Sequence, residues 1–256
     1  MQVTGSNSSQ HILSIRFSAD GFYFALFNPK AKESDSYTYY IYKVDESLSF
    51  TANLKQAITE LDWLSYTYQA TNIVIATQRF TLIPLDFFED EQVENIFYYN
   101  IQRLDNETVN YNILQKSNTV ILYSIDKAFL SLLNDQFPTA SIQVQTSPLI
   151  EYLSTQNRQA RNRQMLCFIT EENITITAME RRNLLDCNIF SCNCMADRLY
   201  YILHIWKQLG FDQQKDELLL ADATADPELK SELARFIQQV TEVPNAAYLD
   251  LVSINI

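Results

Sequence analysis

Leu13, Ile15 and Phe17 alternate with Ser14, Arg16 and Ser18, and that period of two predicts a half-buried strand. Asp20-Gly21 follows and predicts a hairpin turn, because glycine takes positive φ at little steric cost. A second apolar run, Phe22 to Phe27, predicts the returning strand. The same design recurs from Met165 to Ile169, through a polar turn at Thr170 to Asn173, into Ile174 to Met179. Two hairpins, each opening a similar series of elements, predict a duplicated fold.

After the first hairpin, Tyr37 to Val44 predicts an aromatic third strand, and Asn53 the cap of a helix carrying Leu54, Ile58, Leu61 and Leu64 on one face. Thr71 to Thr77 and Thr119 to Ile125 predict buried strands, with a helix over 92–101 between them. Asp126 stands where a helix cap belongs, ahead of Phe129, Leu132 and Leu133. A strand over 141–145 and a helix opened by Ser147-Pro148 complete the first series. In the second series, Leu184 to Phe190 predicts a strand, Ala196 to Leu209 a helix, and Glu217 to Ala221 a buried strand. Asp226-Pro227 predicts the start of a helix running to Val240, and Ala247 to Val252 a closing strand. Three antiparallel strands feeding alternating helices and strands predict a mixed α/β sheet with flanking helices in each half. The chain divides on this basis into a frayed tail (1–10), a first half (11–157), a linker (158–163) and a second half (164–256).

With 256 residues, 47% of them hydrophobic, the chain can bury a full core. No stretch reaches the eighteen or so apolar residues of a membrane span, and nothing near the N-terminus has the pattern of a secretion signal, so a cytoplasmic protein is expected. The net charge of −12 repels phosphate backbones, and nucleic acid is not an expected partner. The one basic cluster, Arg158, Arg161 and Arg163, falls in the polar linker and reads as solvated, with a docking site for an acidic partner as the alternative. Cys187, Cys192 and Cys194 cluster, but a fourth zinc ligand could only be the distant Cys167 or His204, so reduced, buried thiols are expected and no metal site. Glycine occurs only three times, at Gly5, Gly21 and Gly210; Gly210 caps a helix, which leaves Gly21 alone for a ligand-cradling loop.

The order of elements resembles the actin-like ATPase (ribonuclease H-like) fold, shared by actin, sugar kinases and heat-shock ATPase chaperones. The segment from Val120 to Leu153 is similar to the branch of cytoplasmic actin-like proteins of bacterial pilus assembly and cell division. The chain also resembles a family of uncharacterised bacterial proteins with this fold. In such proteins nucleotide sits between the halves, and two hairpin turns of the form D-x-G hold the phosphates. Backbone N–H groups must approach phosphate oxygens closely there, and a side chain at the tight position blocks them.

Carried onto this chain, the metal-side aspartate falls near Ser18, with Asp20-Gly21 displaced by two residues. The second turn, Thr170-Glu171-Glu172-Asn173, has no glycine, and its carboxylates would repel a triphosphate unless a divalent cation lay between them. At the adenosine turn the family's paired glycines are replaced by Ala221-Asp222-Ala223. The resemblance therefore implies cofactor positions at Ser18, Asp20, Gly21, Glu171 and Asp222 that are vestiges of a lost site, with no catalytic residue and no bound cofactor. The expected function is a non-catalytic scaffold or protein-interaction module, with a protein partner or a homodimer, supported by 15 Tyr and 15 Phe of the kind interfaces favour. The alternative is a Mg-dependent ATPase or small-molecule kinase, for which Asp20, Glu171 and Asp222 are the candidate residues.

Overall fold

The computed structural model describes residues 4–32, 36–158 and 160–255. The chain forms two compact units: the first runs to Gln145 apart from Leu114–Thr119, and the second takes those residues and Thr146 onward apart from Asn255. The division thus falls before the last helix of the expected first half, and not at the arginine-bearing stretch of 158–163. Gln159, inside that stretch, and Met1–Val3, inside the expected tail, lie outside the described residues. The described part of the tail is not frayed throughout: Ser8–Gln10 form a 3-10 turn with Ser8 buried.

In the first unit β1 (Ile12–Ser18) pairs antiparallel with β2 (Gly21–Phe27), which pairs with β3 (Tyr37–Tyr42). On the other side, β1 pairs parallel with β4 (Ala70–Ile75), which pairs with β8 (Ser141–Val144). The sheet order is β3-β2-β1-β4-β8. In the second unit β9 (Gln164–Ile169), β10 (Asn173–Glu180), β11 (Asn183–Ser191), β12 (Glu217–Asp222) and β13 (Gln239–Glu242) repeat it as β11-β10-β9-β12-β13, with the same mix of senses. These are the two mixed sheets expected from the sequence. Position β1 is buried on both faces, with Ser14 and Arg16 covered as fully as Ile15, so the polar half of its alternation does not face water.

Helices α1 (Phe50–Glu60) and α3 (Lys127–Gln136) pack against the first sheet through Leu54, Ala57, Phe129 and Leu133. Ser49 caps α1, its hydroxyl accepting from the Ala52 amide. Asn53, the expected cap, lies buried inside the helix, where its amide bonds the Asp45 backbone at both ends, 2.7 and 3.0 Å. Asp126 caps α3 as expected, accepting from the Phe129 amide at 2.8 Å. Helix α4 (Thr146–Asn157) starts before Ser147-Pro148, so Ser147 is a helical residue and not a cap.

Between β4 and α3 the first unit carries a module without a counterpart in the second: β5 (Phe80–Pro84), α2 (Val93–Asn100), β6 (Glu107–Leu114) and β7 (Thr119–Asp126). The apolar strand β7 is the centre of a separate sheet, β5-β7-β6, with its own core of Ile83, Val93, Phe97, Val120 and Leu122. Apolar period marks β7 in the sequence but not β5 or β6, whose residues are mostly half-buried and show no clean period.

In the second unit α5 (Met195–Gln208) ends in a Schellman motif: Gly210 has φ +68°, its amide donates to the Lys207 carbonyl and that of Phe211 to the Trp206 carbonyl. The accompanying apolar contact joins Trp206 and Phe211, ring centroids 4.8 Å apart. Two expectations fail beyond this point. The helix after Asp226-Pro227 is only α6 (Leu229–Leu233), and Val240 belongs to β13. The run 247–252 is not a strand but a 3-10 turn and α7 (Leu249–Ser253). Leu249, Asp250, Leu251 and Ser253 are all buried there, and a run buried on every side has no period to separate helix from strand.

Candidate functional site

The first hairpin turn is made by Ala19 and Asp20, because Ser18 and Gly21 are the closing pair of the ladder. Gly21 is therefore a strand residue and does not adopt positive φ; among described glycines only Gly210 does. What requires glycine at 21 is a close approach: a Cβ there would stand 3.1 Å from the Tyr42 carbonyl oxygen of β3. Asp20 is already engaged on both oxygens, by the Ser18 hydroxyl on one and the Tyr23 hydroxyl at 2.7 Å on the other. Burial first, and the bond to Asp20 second, push the Tyr23 phenol up to about 12. Beneath the same ring lies the buried Arg16 guanidinium, 3.9 Å from its centroid. The turn thus holds Ser18, Asp20 and Gly21 together with Tyr23 and Arg16, which the sequence does not mark.

The second turn has the same length. Ile169 and Ile174 pair, the Thr170 amide donates to the Asn173 carbonyl at 2.9 Å, and Glu171 and Glu172 occupy the two tip positions. Glu172 is therefore the counterpart of Asp20, and Glu171 the counterpart of Ala19. Behind this turn lies Arg198, at the end of the first turn of α5 and only 5% exposed. Its Nη2 donates to the carbonyls of Thr170 (3.3 Å) and Glu171 (3.4 Å), and its Nη1 to the Thr224 hydroxyl (3.1 Å). Thr224 in turn gives its hydroxyl (2.6 Å) and its amide (2.9 Å) to Asp222, whose other oxygen accepts from the Asp226 amide at 3.0 Å. Glu171 and Asp222, far apart in sequence, are so brought to the two ends of one hydrogen-bonded chain with Arg198 at its centre. A lone arginine within an amphipathic helix carries no sequence signal for that role.

Two cavities adjoin these elements. One, of about 560 Å³, opens beside Asp222 and is lined by Leu220, Pro227, Val243, Ala246 and the ion pair of Lys230 with Glu242 (2.7 Å). The other, of about 490 Å³, lies in the first unit at the carboxyl ends of β1, β4 and β7, between Phe17, Phe50 and Phe129 and a half-buried pair, Arg79 and Glu107. Arg79 grips Glu107 in a bidentate fork, Nη2 on Oε1 at 2.8 Å and Nε on Oε2 at 3.2 Å. Burial alone would raise the Glu107 carboxyl, but the Leu104 amide, the Ser124 hydroxyl and Arg79 together hold it below the usual range.

Cys167, Cys187 and Cys192 are buried thiols, with burial pushing all three upward, while Cys194 is exposed. Among the described residues no group of three or more His, Cys, Asp or Glu is placed to hold a metal ion. His204 stacks on Tyr200, and His11 is buried with Nδ1 2.9 Å from the Asn7 carbonyl. Among the described residues no helix is long and apolar enough to cross a membrane.

A family model described as "Protein of unknown function (DUF3822)" matches residues 2–240. The structure is similar to a crystal structure from Bacteroides thetaiotaomicron VPI-5482 of a protein with actin-like ATPase fold and unknown function. The two share 44% identity over 99% of this chain and 98% of that one, with a TM-score of 0.89. More distant likenesses are to a chain of the PilM-PilN type IV pilus biogenesis complex (TM-score 0.56, 11% identity, 93% and 89% covered) and to the ethanolamine utilization protein EutJ from Carboxydothermus hydrogenoformans (0.52, 8%, 95% and 88%). No match is found among curated proteins. The fold is the actin-like ATPase fold, as the order of elements implied.

Proposed function

This chain belongs to the DUF3822 family, and we propose that it serves as a non-catalytic actin-like scaffold, a protein-interaction module whose nucleotide-holding turns have been closed off by side chains of their own units. The observation that carries this reading is Arg198. Its buried guanidinium donates through Nη1 and Nη2 to Thr224 and to Thr170 and Glu171, so those carbonyls and that hydroxyl have partners without a ligand. Asp20 and Asp222 are likewise occupied, by Ser18 and Tyr23 and by Thr224 and Asp226. Side chains also stand at both tip positions of the second turn, where a phosphate cradle needs bare backbone N–H groups. These residues do not fit a triphosphate. The distant likeness to a chain of the PilM-PilN complex, an assembly of proteins, favours partner binding as the role that remains.

The cavity beside Asp222 favours a second reading, a Mg-dependent ATPase or small-molecule kinase, because apolar Leu220, Pro227, Val243 and Ala246 could accept a base. Thermal unfolding with and without millimolar Mg-ATP and Mg-ADP separates the two. A site with a dissociation constant near 10 μM would add about 2.7 kcal/mol at hundredfold excess, a shift of several degrees. The scaffold reading expects no shift. A shift abolished by Asp20→Ala, Glu171→Ala or Asp222→Ala would overturn it in favour of a nucleotide-dependent enzyme.

A further inference from the structure

Arginines that lie apart in sequence gather around one asparagine of the second unit. Asn157, the last residue of α4, is 1% exposed. Its Oδ1 accepts from the Arg182 amide at 3.0 Å, and its Nδ2 donates to Gln164 Oε1 at 3.1 Å and to the Asn162 carbonyl at 3.5 Å. Those bonds pin the stretch holding Arg158, Arg161 and Arg163 against the turn between β10 and β11. The turn itself is Arg181-Arg182, with φ of +50° and +70°, left-handed positions that favour Asn-Gly. Arg163 is committed inward, to Glu180 at 3.2 Å and to the Leu209 carbonyl at 2.9 Å. Arg158, Arg161, Arg181 and Arg182 are exposed, and among the described residues none of them enters an ion pair. On a chain of net charge −12 this is a concentrated local exception.

The same chain carries a complement. Asp86, Glu89, Asp90, Glu91 and Glu94 fall within nine residues of the inserted module of the first unit, and all are exposed. Asp90 bonds the Tyr111 hydroxyl and Glu94 lies 3.8 Å from Arg103, while Glu89 and Glu91 are in no ion pair among the described residues. Among these carboxylates Phe87 stands 73% exposed, an aromatic anchor with nothing in its own unit covering it.

We propose that the Arg158–Arg161–Arg181–Arg182 cluster of one copy docks the acidic 86–94 segment of a second copy. An extended polyanion such as nucleic acid or an anionic membrane would meet the repulsion of the whole acidic surface, whereas a short acidic segment meets only the patch. Contacts of this kind fix orientation and speed encounter more than they add affinity, so the association is salt-sensitive. Pairing in both directions at once closes a dimer, and pairing in one direction propagates. The proposal stands independently of the state of the nucleotide turns.

Sedimentation velocity on the full chain tests it, at about 0.01 M and about 1 M salt, where the Debye length is about 30 Å and about 3 Å. The sedimentation coefficient should rise with protein concentration at low salt and stay constant at high salt. Arg158→Glu/Arg161→Glu/Arg181→Glu and Glu89→Lys/Glu91→Lys should each weaken self-association at least about tenfold with unchanged melting. Both variants alter exposed side chains only. An equimolar mixture of the two should associate again, arginine patch of one on acidic segment of the other. The proposal is overturned if the wild-type chain stays monomeric at low salt, if either variant associates as the wild type does, or if two folded variants fail to associate when mixed.

Discussion

The two five-stranded sheets share their order, their mix of strand senses and the length of their first hairpin turn, yet the two turns are held by unlike means. In the first unit the tip is tied from within its own hairpin: Asp20 takes the hydroxyls of Ser18 and Tyr23, two and three residues away. In the second the tip carboxylates point outward and the backbone behind them is held from a helix, by Arg198. A turn tied by its neighbours is a local device that contributes little beyond its own loop. A turn tied by a buried guanidinium depends on the packing of α5 and on the loop after β12, and couples all three.

That difference predicts unequal costs. Arg198→Ala would leave the Thr170 and Glu171 carbonyls and the Thr224 hydroxyl without their charged donor, a loss of about 2–4 kcal/mol. In a chain of this size that lowers the melting temperature by roughly 5–12 °C. Asp20→Ala, at an exposed turn, should cost less than about 1 kcal/mol. Denaturant melts of the two variants check the order, and equal costs would mean that the turns are equivalent after all.

The closing pairs differ as well. Gly21→Ala forces a Cβ to within 3.1 Å of the Tyr42 carbonyl oxygen, so β3 must shift by a few tenths of an ångström, at an expected cost of about 1 kcal/mol. Its counterpart Asn173 already carries a side chain, bonded to the Ser191 hydroxyl at 3.3 Å near the surface. Asn173→Ala should cost about 0.5 kcal/mol or less. A Gly21→Ala variant as stable as the wild type would show that sequence economy, and not strand approach, keeps glycine there.

The sequence carried most of the architecture because the hairpins, β4, β7, β12 and α5 announce themselves by apolar period and by caps such as Asp126 and Gly210. It misled where burial was continuous, as over Leu249–Ser253, and where an apolar helical spacing outran the helix, as from Leu233 to Val240. For the site, Ser18, Asp20, Glu171 and Asp222 were legible from turn position, but their occupation was not. Arg198 sits some thirty residues from the turn that it holds, and Arg182 reaches the linker arginines only through the side chain of Asn157. Contacts of that kind leave no spacing to read. The Asp-Gly pair even pointed to the wrong reason: glycine is needed for approach and not for φ.

The finest test of the contrast is the titration of Tyr23, which has no counterpart in the second turn. Its phenol ionises near 12 in the folded chain against about 10 in an unfolded one, chiefly through burial and secondarily through Asp20. A raised phenol pKa means that the folded state holds its proton longer than the unfolded state. Its contribution to stability is therefore complete below pH 10 and is lost as the pH climbs through 12. Tyr23→Phe should leave stability at pH 7 within about 1 kcal/mol of the wild type, the worth of one hydrogen bond to Asp20. It should also flatten the decline in stability between about pH 10 and 12. Asp20→Asn should move the phenol only part of the way back toward 10, because burial is the larger cause and stays in place. Ultraviolet titration of tyrosinate in the three proteins reads this directly, and a full return to 10 in Asp20→Asn would make the carboxylate, not the burial, the agent that sets the first turn apart.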